Sequence, residues 1–167
     1  MKEQKNIALK TIAPILLIGA KEPTTLRNLQ DPAKIWRFFK PLMKHIEAYE
    51  KNRFYATFRA SAPLAGPGFM DIPIERWAAV KGQHEEQSLP DGLAYSQIEG
   101  GLYATYTYQG RAADFNNSLE NFREQYLASS GYEWDWSRAQ FETFDSNYDP
   151  LNEQSTEEIW IPIIKKK

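Results

Sequence analysis

The chain has 167 residues, 42% of them hydrophobic and 25% charged, an ordinary globular composition that excludes a disordered chain and leaves enough length for a sizeable core. A formal net charge of -2 excludes the broad basic field of a nucleic-acid binder, and the absence of cysteine excludes disulfides and thiolate chemistry. The aromatic share is high at 14%, and Trp and Tyr line recognition surfaces as well as cores because each joins an apolar body to a polar handle.

In chain order, the apolar run Ile12 to Ala20 reads as a first strand. It contains Pro14, is too short to span a bilayer, and follows Lys2, Lys5 and Lys10 without a small-residue cleavage site, so a cytoplasmic protein with no membrane association is expected. Asp31-Pro32 reads as a helix start, with Asp as cap and Pro in the first turn. Ile35, Phe38, Phe39, Leu42, Met43 and Ile46 then recur at helical spacing, and Pro41 is expected to bend that helix by removing a donor. Short strands over Phe54 to Phe58 and Ile74 to Val80 follow, separated by the Pro/Gly-rich Ala62 to Gly68.

The second half repeats the order. Leu102 to Tyr108 reads as a strand ended by Gly110. A helix starts at Asp114, carries Phe115, Leu119, Phe122 and Tyr126 on one stripe, and stops at Gly131. Strands over Gln140 to Phe144 and Glu158 to Ile164 complete it. ATF (Ala56 to Phe58) lines up with ETF (Glu142 to Phe144), and ERW (Glu75 to Trp77) with EIW (Glu158 to Trp160). We therefore expect one domain over 1–167, made of two pseudo-repeats of about 7–82 and 93–165. The fold class is α+β, a duplicated strand–helix–strand–strand module with a curved antiparallel sheet, two main helices and a central ligand cleft. The second half carries an acid, Glu142, where the first half carries Ala56, which suggests a cavity charged on one wall.

These segments are similar to the GyrI-like, AraC-type effector-binding family: IWRFFKPLMKHI and RFYATF in the first half, then GGLYATYTYQG, NSLENFREQYLASSGYEW, FETFD and EEIWIPI in the second. The resemblance implies a central cleft that takes hydrophobic, often cationic compounds, with a characteristic glutamate on the strand after the second helix, here Glu142. It implies a drug or effector sensor or a sequestering module. The alternative it implies is a hydrolase of reactive cyclopropane-type toxins, with Glu142 as general base and Tyr108 as proton donor. Many relatives carry a helix-turn-helix region. Here the effector-binding pattern occupies residues 12 to 164, so direct DNA binding is not expected, while a protein partner or homodimer stays open.

The candidate ligand-binding residues are Glu142, Trp77, Tyr106, Tyr108, Trp160, Trp134, Trp36 and Phe144. An acid ringed by aromatic faces suits a lipophilic cation, through charge and cation–π attraction together. Glu142 could instead pair with Arg138 or face water. Tyr106 and Tyr108 share one strand face, and each could be core or ligand contact. Trp77 and Trp160, at equivalent places, suit paired cleft walls or paired core anchors, and the cleft is the expectation. Trp134 and Trp136 read as loop residues that either cover the cleft or pack beneath the loop, and Trp36 as core or cleft roof. Glu75 and Glu158 add acidity to the rim or are merely solvated. His45 and His84 have no ligand-like spacing, so no metal is expected, and no cofactor motif is present.

Overall fold

The run read as one strand from Ile12 is the middle of a longer strand bent at residues 13–14. The structure, a computed structural model, describes residues 6–167; Lys2 and Lys5, part of the charged flank noted above, lie outside the described residues. The bend divides β1 (Ala8–Ile12) from β2 (Ile15–Thr24). A second bent strand, absent from the sequence reading in its first part, comprises β5 (Ala94–Ile98) and β6 (Gly101–Gln109). Its bend needs glycine: a Cβ on Gly100 would lie 2.9 Å from the Ile12 carbonyl oxygen, and Gly101 has φ +137°. The two bent strands pair with each other in one register, Ile12 facing Gly101 and Ile15 facing Ile98.

The remaining strands are β3 (Phe54–Ala60), β4 (Ile74–Lys81), β7 (Tyr132–Trp134), β8 (Gln140–Phe144) and β9 (Thr156–Lys165). All pairings are antiparallel, and the open, curved sheet runs β1-β6-β9-β8-β3-β4-β2-β5 with β7 added on β9. The two halves join where β3 pairs with β8.

Helix α1 (Lys34–Phe39) passes at Lys40 into a 3-10 helix that ends at His45 and holds Pro41 in its first turn, so the proline changes the hydrogen-bond pattern where a bend was expected. Asp31 does not cap it; its carboxylate pairs with Arg37 instead. Asp114 stands at the start of α2 (Phe115–Asn121) without making a side-chain cap, because it pairs with Arg111 at 3.2 Å. A π-helical turn over Phe122–Tyr126 and a 3-10 turn follow, and Gly131, at φ +81°, ends the segment. No helix among the described residues is long and apolar enough to cross a membrane.

Strand alternation gives the sheet two unlike faces. On one, α1 covers Ile18, Ala20, Ala78 and Val80, and α2 covers Ala104, Tyr106, Ile159 and Ile161. The other buries Leu17, Tyr55, Ala79, Ile98, Tyr103, Phe141 and Trp160 against one another inside the curve. Between the two helices the helical face keeps a strip over β3 and β8, and that strip holds the candidate site.

Candidate functional site

The strip is built from residues two apart on adjacent strands. Glu142 is opposite Ala56 on β3 and Ile159 on β9; Phe144 is opposite Phe54; Gln140 is opposite Phe58. The same registers place Ala78 and Arg76 of β4 and Glu157 of β9 on this face, and Glu157 is opposite Tyr108 of β6. Ala56 and Ala78, both buried, are the small residues on the first-half side of Glu142.

Glu142 sits deep in the protein but keeps some accessible surface. Among the described residues it makes no ion pair. Arg138, the partner considered for it, is held elsewhere: it bonds Asp135 at 2.8 Å and the carbonyls of Leu102 and Ile163 at 3.0 Å each. Its neighbour is a second acid. The Glu142 and Glu157 carboxyls lie within hydrogen-bonding range of each other, an arrangement that needs a proton between them. Burial, then the Glu157 charge, pushes the Glu142 carboxyl well above its ordinary value; Arg76 and Gln140 pull it back in part. Burial pushes Glu157 up to about 7. Both carboxyls are thus biased towards the protonated form, and as close neighbours they titrate as one unit.

Arg76 is only 3% exposed. It donates to the Pro32 carbonyl at 2.7 Å ahead of α1, has Glu22 at 3.9 Å, and lies over the Phe58 ring at 5.6 Å. Its Nε and Nη1 have no hydrogen-bond partner, and burial lowers its affinity for its own proton. Arg76 thus supplies positive potential towards Glu142 without closing an ion pair on it.

Rings enclose the acids on one side. Trp36 of α1 meets Phe144 edge-on at 5.2 Å and Phe54 at 6.0 Å; Phe144 contacts Tyr148 at 4.6 Å. Burial, and after it the charges of Glu157 and Glu142, raise the Tyr148 phenol above its ordinary range. Trp36, Phe144 and Glu142, all named from sequence, are therefore brought together. Tyr108 borders them, but its hydroxyl donates to the Arg111 carbonyl at 2.6 Å, away from the acids. Tyr106 is 3% exposed and stacks on Phe122 at 5.6 Å beneath α2, so the core alternative describes it.

Three expected residues stand apart from the acids. Trp160 and Trp77 point to the opposite face of the sheet: Trp160 is opposite Thr105 and Phe141, and stacks on the Phe141 ring at 5.4 Å, while Trp77 is opposite Thr57 and donates to Glu75 at 2.9 Å. The parity of β4 and β9 thus turns both of these expected cleft walls away from Glu142. Trp134 lies on β7 and not in a loop; it is opposite Ile163, four residues along β9 from Ile159, and stacks on Trp136 at 4.7 Å. These two tryptophans line a groove of about 510 Å³ with Arg123, Leu127, Tyr132 and Lys166, and Glu142 is not among its lining residues. The buried charge lies in the strip and not in this groove, and chemistry selects the strip.

Glu158 pairs with Arg53 at 3.6 Å on the far face, and Glu75 is exposed. Glu157, Arg76, Tyr148 and Phe54 were not singled out from sequence. Among the described residues no group of three or more metal-ligating side chains comes together.

Comparison with known proteins agrees with this architecture. SAV2435 bound to tetraphenylphosphonium superposes with a TM-score of 0.69 at 16% identity, over 95% of this chain and 94% of that one. An integron cassette protein from the mobile metagenome of Vibrio cholerae gives 0.66 at 16% identity, over 96% and 97%. A hydrolase from Listeria innocua gives 0.62 at 9% identity, over 97% and 93%. At these identities the likeness is one of fold. No curated protein sequence matches the chain. The family model described as Cass2, integron-associated effector binding protein, matches residues 8–163, from the first strand to the last, and the chain belongs to that family.

Proposed function

We propose that the chain binds hydrophobic organic cations in the strip between its two helices, with Glu142 as the anchoring charge, and serves as a sensor or sequestering module for such compounds. The observation that carries this is a carboxyl deep in the protein, bordered by Trp36, Phe144 and Tyr148, with no cation paired to it. A lipophilic cation supplies the missing charge, and each well-placed ring adds about 0.5–2 kcal/mol. The tetraphenylphosphonium bound by SAV2435, a protein of the same fold, supports this ligand class. Titration with tetraphenylphosphonium, followed by Trp fluorescence, tests it: saturable quenching at micromolar concentration is expected, and equal binding by Glu142→Gln would refute the anchor.

A second reading is hydrolysis of electrophilic cyclopropane-type compounds, with Glu142 as general base. Its support is the acid pair, since a carboxyl held near neutral pH, as Glu157 is, suits base catalysis there. Tyr108 could donate a proton only after leaving the Arg111 carbonyl. Consumption of such a substrate by the native chain, lost in Glu142→Gln, would decide for the enzyme.

A further inference from the structure

We infer that Glu157 sets the charge preference of this site: the acid pair takes a compact, flat dication in exchange for the proton it holds, and so favours it over a monocation of the same shape. The inference rests on the cleft reading above and adds to it a second acid and a proton count.

The argument is one of charge balance. Two carboxyls that share one proton carry one negative charge, which a monocation neutralises with the proton still in place. A second positive charge, brought to the same floor, repels that proton and leaves each carboxylate opposed to one charge of the ligand. The step is written protein–H plus dication gives protein–dication plus one proton released to solvent. No covalent bond changes. The geometry permits this because β8 and β9 bring the two carboxyls within hydrogen-bonding range on one face. The bordering rings, Trp36, Phe144 and Tyr148, offer flat surfaces for a planar body.

The other groups facing the pair do not supply a competing exchange. Arg76 from β4 keeps its charge across the working range, since its pKa, though lowered, belongs to a guanidinium. Tyr108 from β6 and Tyr148 from the β8–β9 connection are both shifted upward and stay neutral. Asp114, at the start of α2, is paired with Arg111, and the Asp149 carboxylate accepts the Leu151 backbone N–H at 3.0 Å. Trp36 is what α1 contributes on this side. The exchangeable proton belongs to Glu142 and Glu157.

The test uses two probes of nearly one shape, 1-methyl-4-phenylpyridinium with one charge and 1,1′-dimethyl-4,4′-bipyridinium with two. Calorimetric titration of the full chain in buffers of different ionisation enthalpy counts protons. Near pH 6.5, release of about one proton per dication and close to none per monocation is expected, and the dication should gain roughly 10- to 100-fold in affinity relative to the monocation between pH 5.5 and 7.5. In Glu157→Gln both the proton release and the pH dependence of that ratio should vanish. Dication binding without proton release, or a ratio unmoved in Glu157→Gln, overturns the inference while leaving the cleft reading intact. If neither probe nor tetraphenylphosphonium binds, both fall. An infrared carbonyl band of a protonated carboxyl, present in the ligand-free chain near neutral pH and lost in Glu142→Gln, checks the bridging proton without any ligand; its absence also overturns the inference.

Discussion

Glu142 and Ala56 are backbone partners across the seam where β3 of the first half pairs with β8 of the second. The pairing puts an acid and a small residue side by side at equivalent places of a duplicated fold. A larger residue at 56 would crowd the carboxyl. Ala56→Leu is therefore expected to weaken tetraphenylphosphonium binding by at least tenfold at a stability cost of about 1–3 kcal/mol. Binding titration and urea unfolding on the same variant separate the two effects.

Glu142→Gln keeps the shape and removes the anchoring carboxyl, leaving Glu157 as the remaining acid. A hydrogen bond or contact to a charged group in a buried setting contributes about 1.5–3 kcal/mol, so a 10- to 100-fold loss of cation affinity is expected. An uncharged hydrophobic compound of similar size should lose less than threefold. A parallel loss for both ligands would mean the substitution had damaged the pocket, not the charge.

The acid pair also predicts how stability responds to pH. Folding raises Glu157 from 4.5 to about 7 and raises Glu142 as well. A raised carboxyl favours the native state when protonated, so this contribution is fully present below about pH 4.5 and is lost as pH rises through about 7. Urea midpoints should fall between pH 5 and pH 8, and the fall should be smaller in Glu157→Gln. An identical pH slope in the two proteins would contradict the pairing.

Trp160 and Trp36 separate core from site. Trp160 lies against Phe141 and Tyr103 inside the curve of the sheet, whereas Trp36 meets Phe144 next to the acids. Trp160→Phe should cost about 1–3 kcal/mol of stability and leave ligand affinity within twofold. Trp36→Leu should instead weaken cation binding by about three- to tenfold through the lost ring. Reversed outcomes would mean that the far face binds the ligand.

Gly19 tests the sheet itself. In the middle of β2, a Cβ there would lie 2.2 Å from the Ala78 carbonyl oxygen and 2.7 Å from the Ala79 Cβ. These are backbone and core atoms that cannot swing aside. Gly19→Ala should destabilise by about 1–3 kcal/mol, read as a lower urea midpoint, with ligand affinity reduced only where unfolding sets in.

By itself the sequence determined the order of elements and the type of most of them, because period-two and helical spacing are local properties. The duplication was legible in ATF against ETF, and it singled out Glu142 against Ala56. Trp36 and Phe144, candidate ligand contacts in the sequence, meet each other on the Glu142 face of the sheet. β5 and β7 escaped, since Ala94–Ile98 and Tyr132–Trp134 are short and carry little apolar alternation of their own. What tertiary structure alone decided was parity and register. On β9 either Glu157 or Glu158 can face the helices, and on β4 either Arg76 or Trp77; the strand text is the same in both cases. A shift of one residue sends every side chain to the other face. Only the pairing of Glu142 with Ile159 puts Glu157 beside Glu142 and turns Trp160 into the core, and both carboxyls are raised because burial and proximity act on them together.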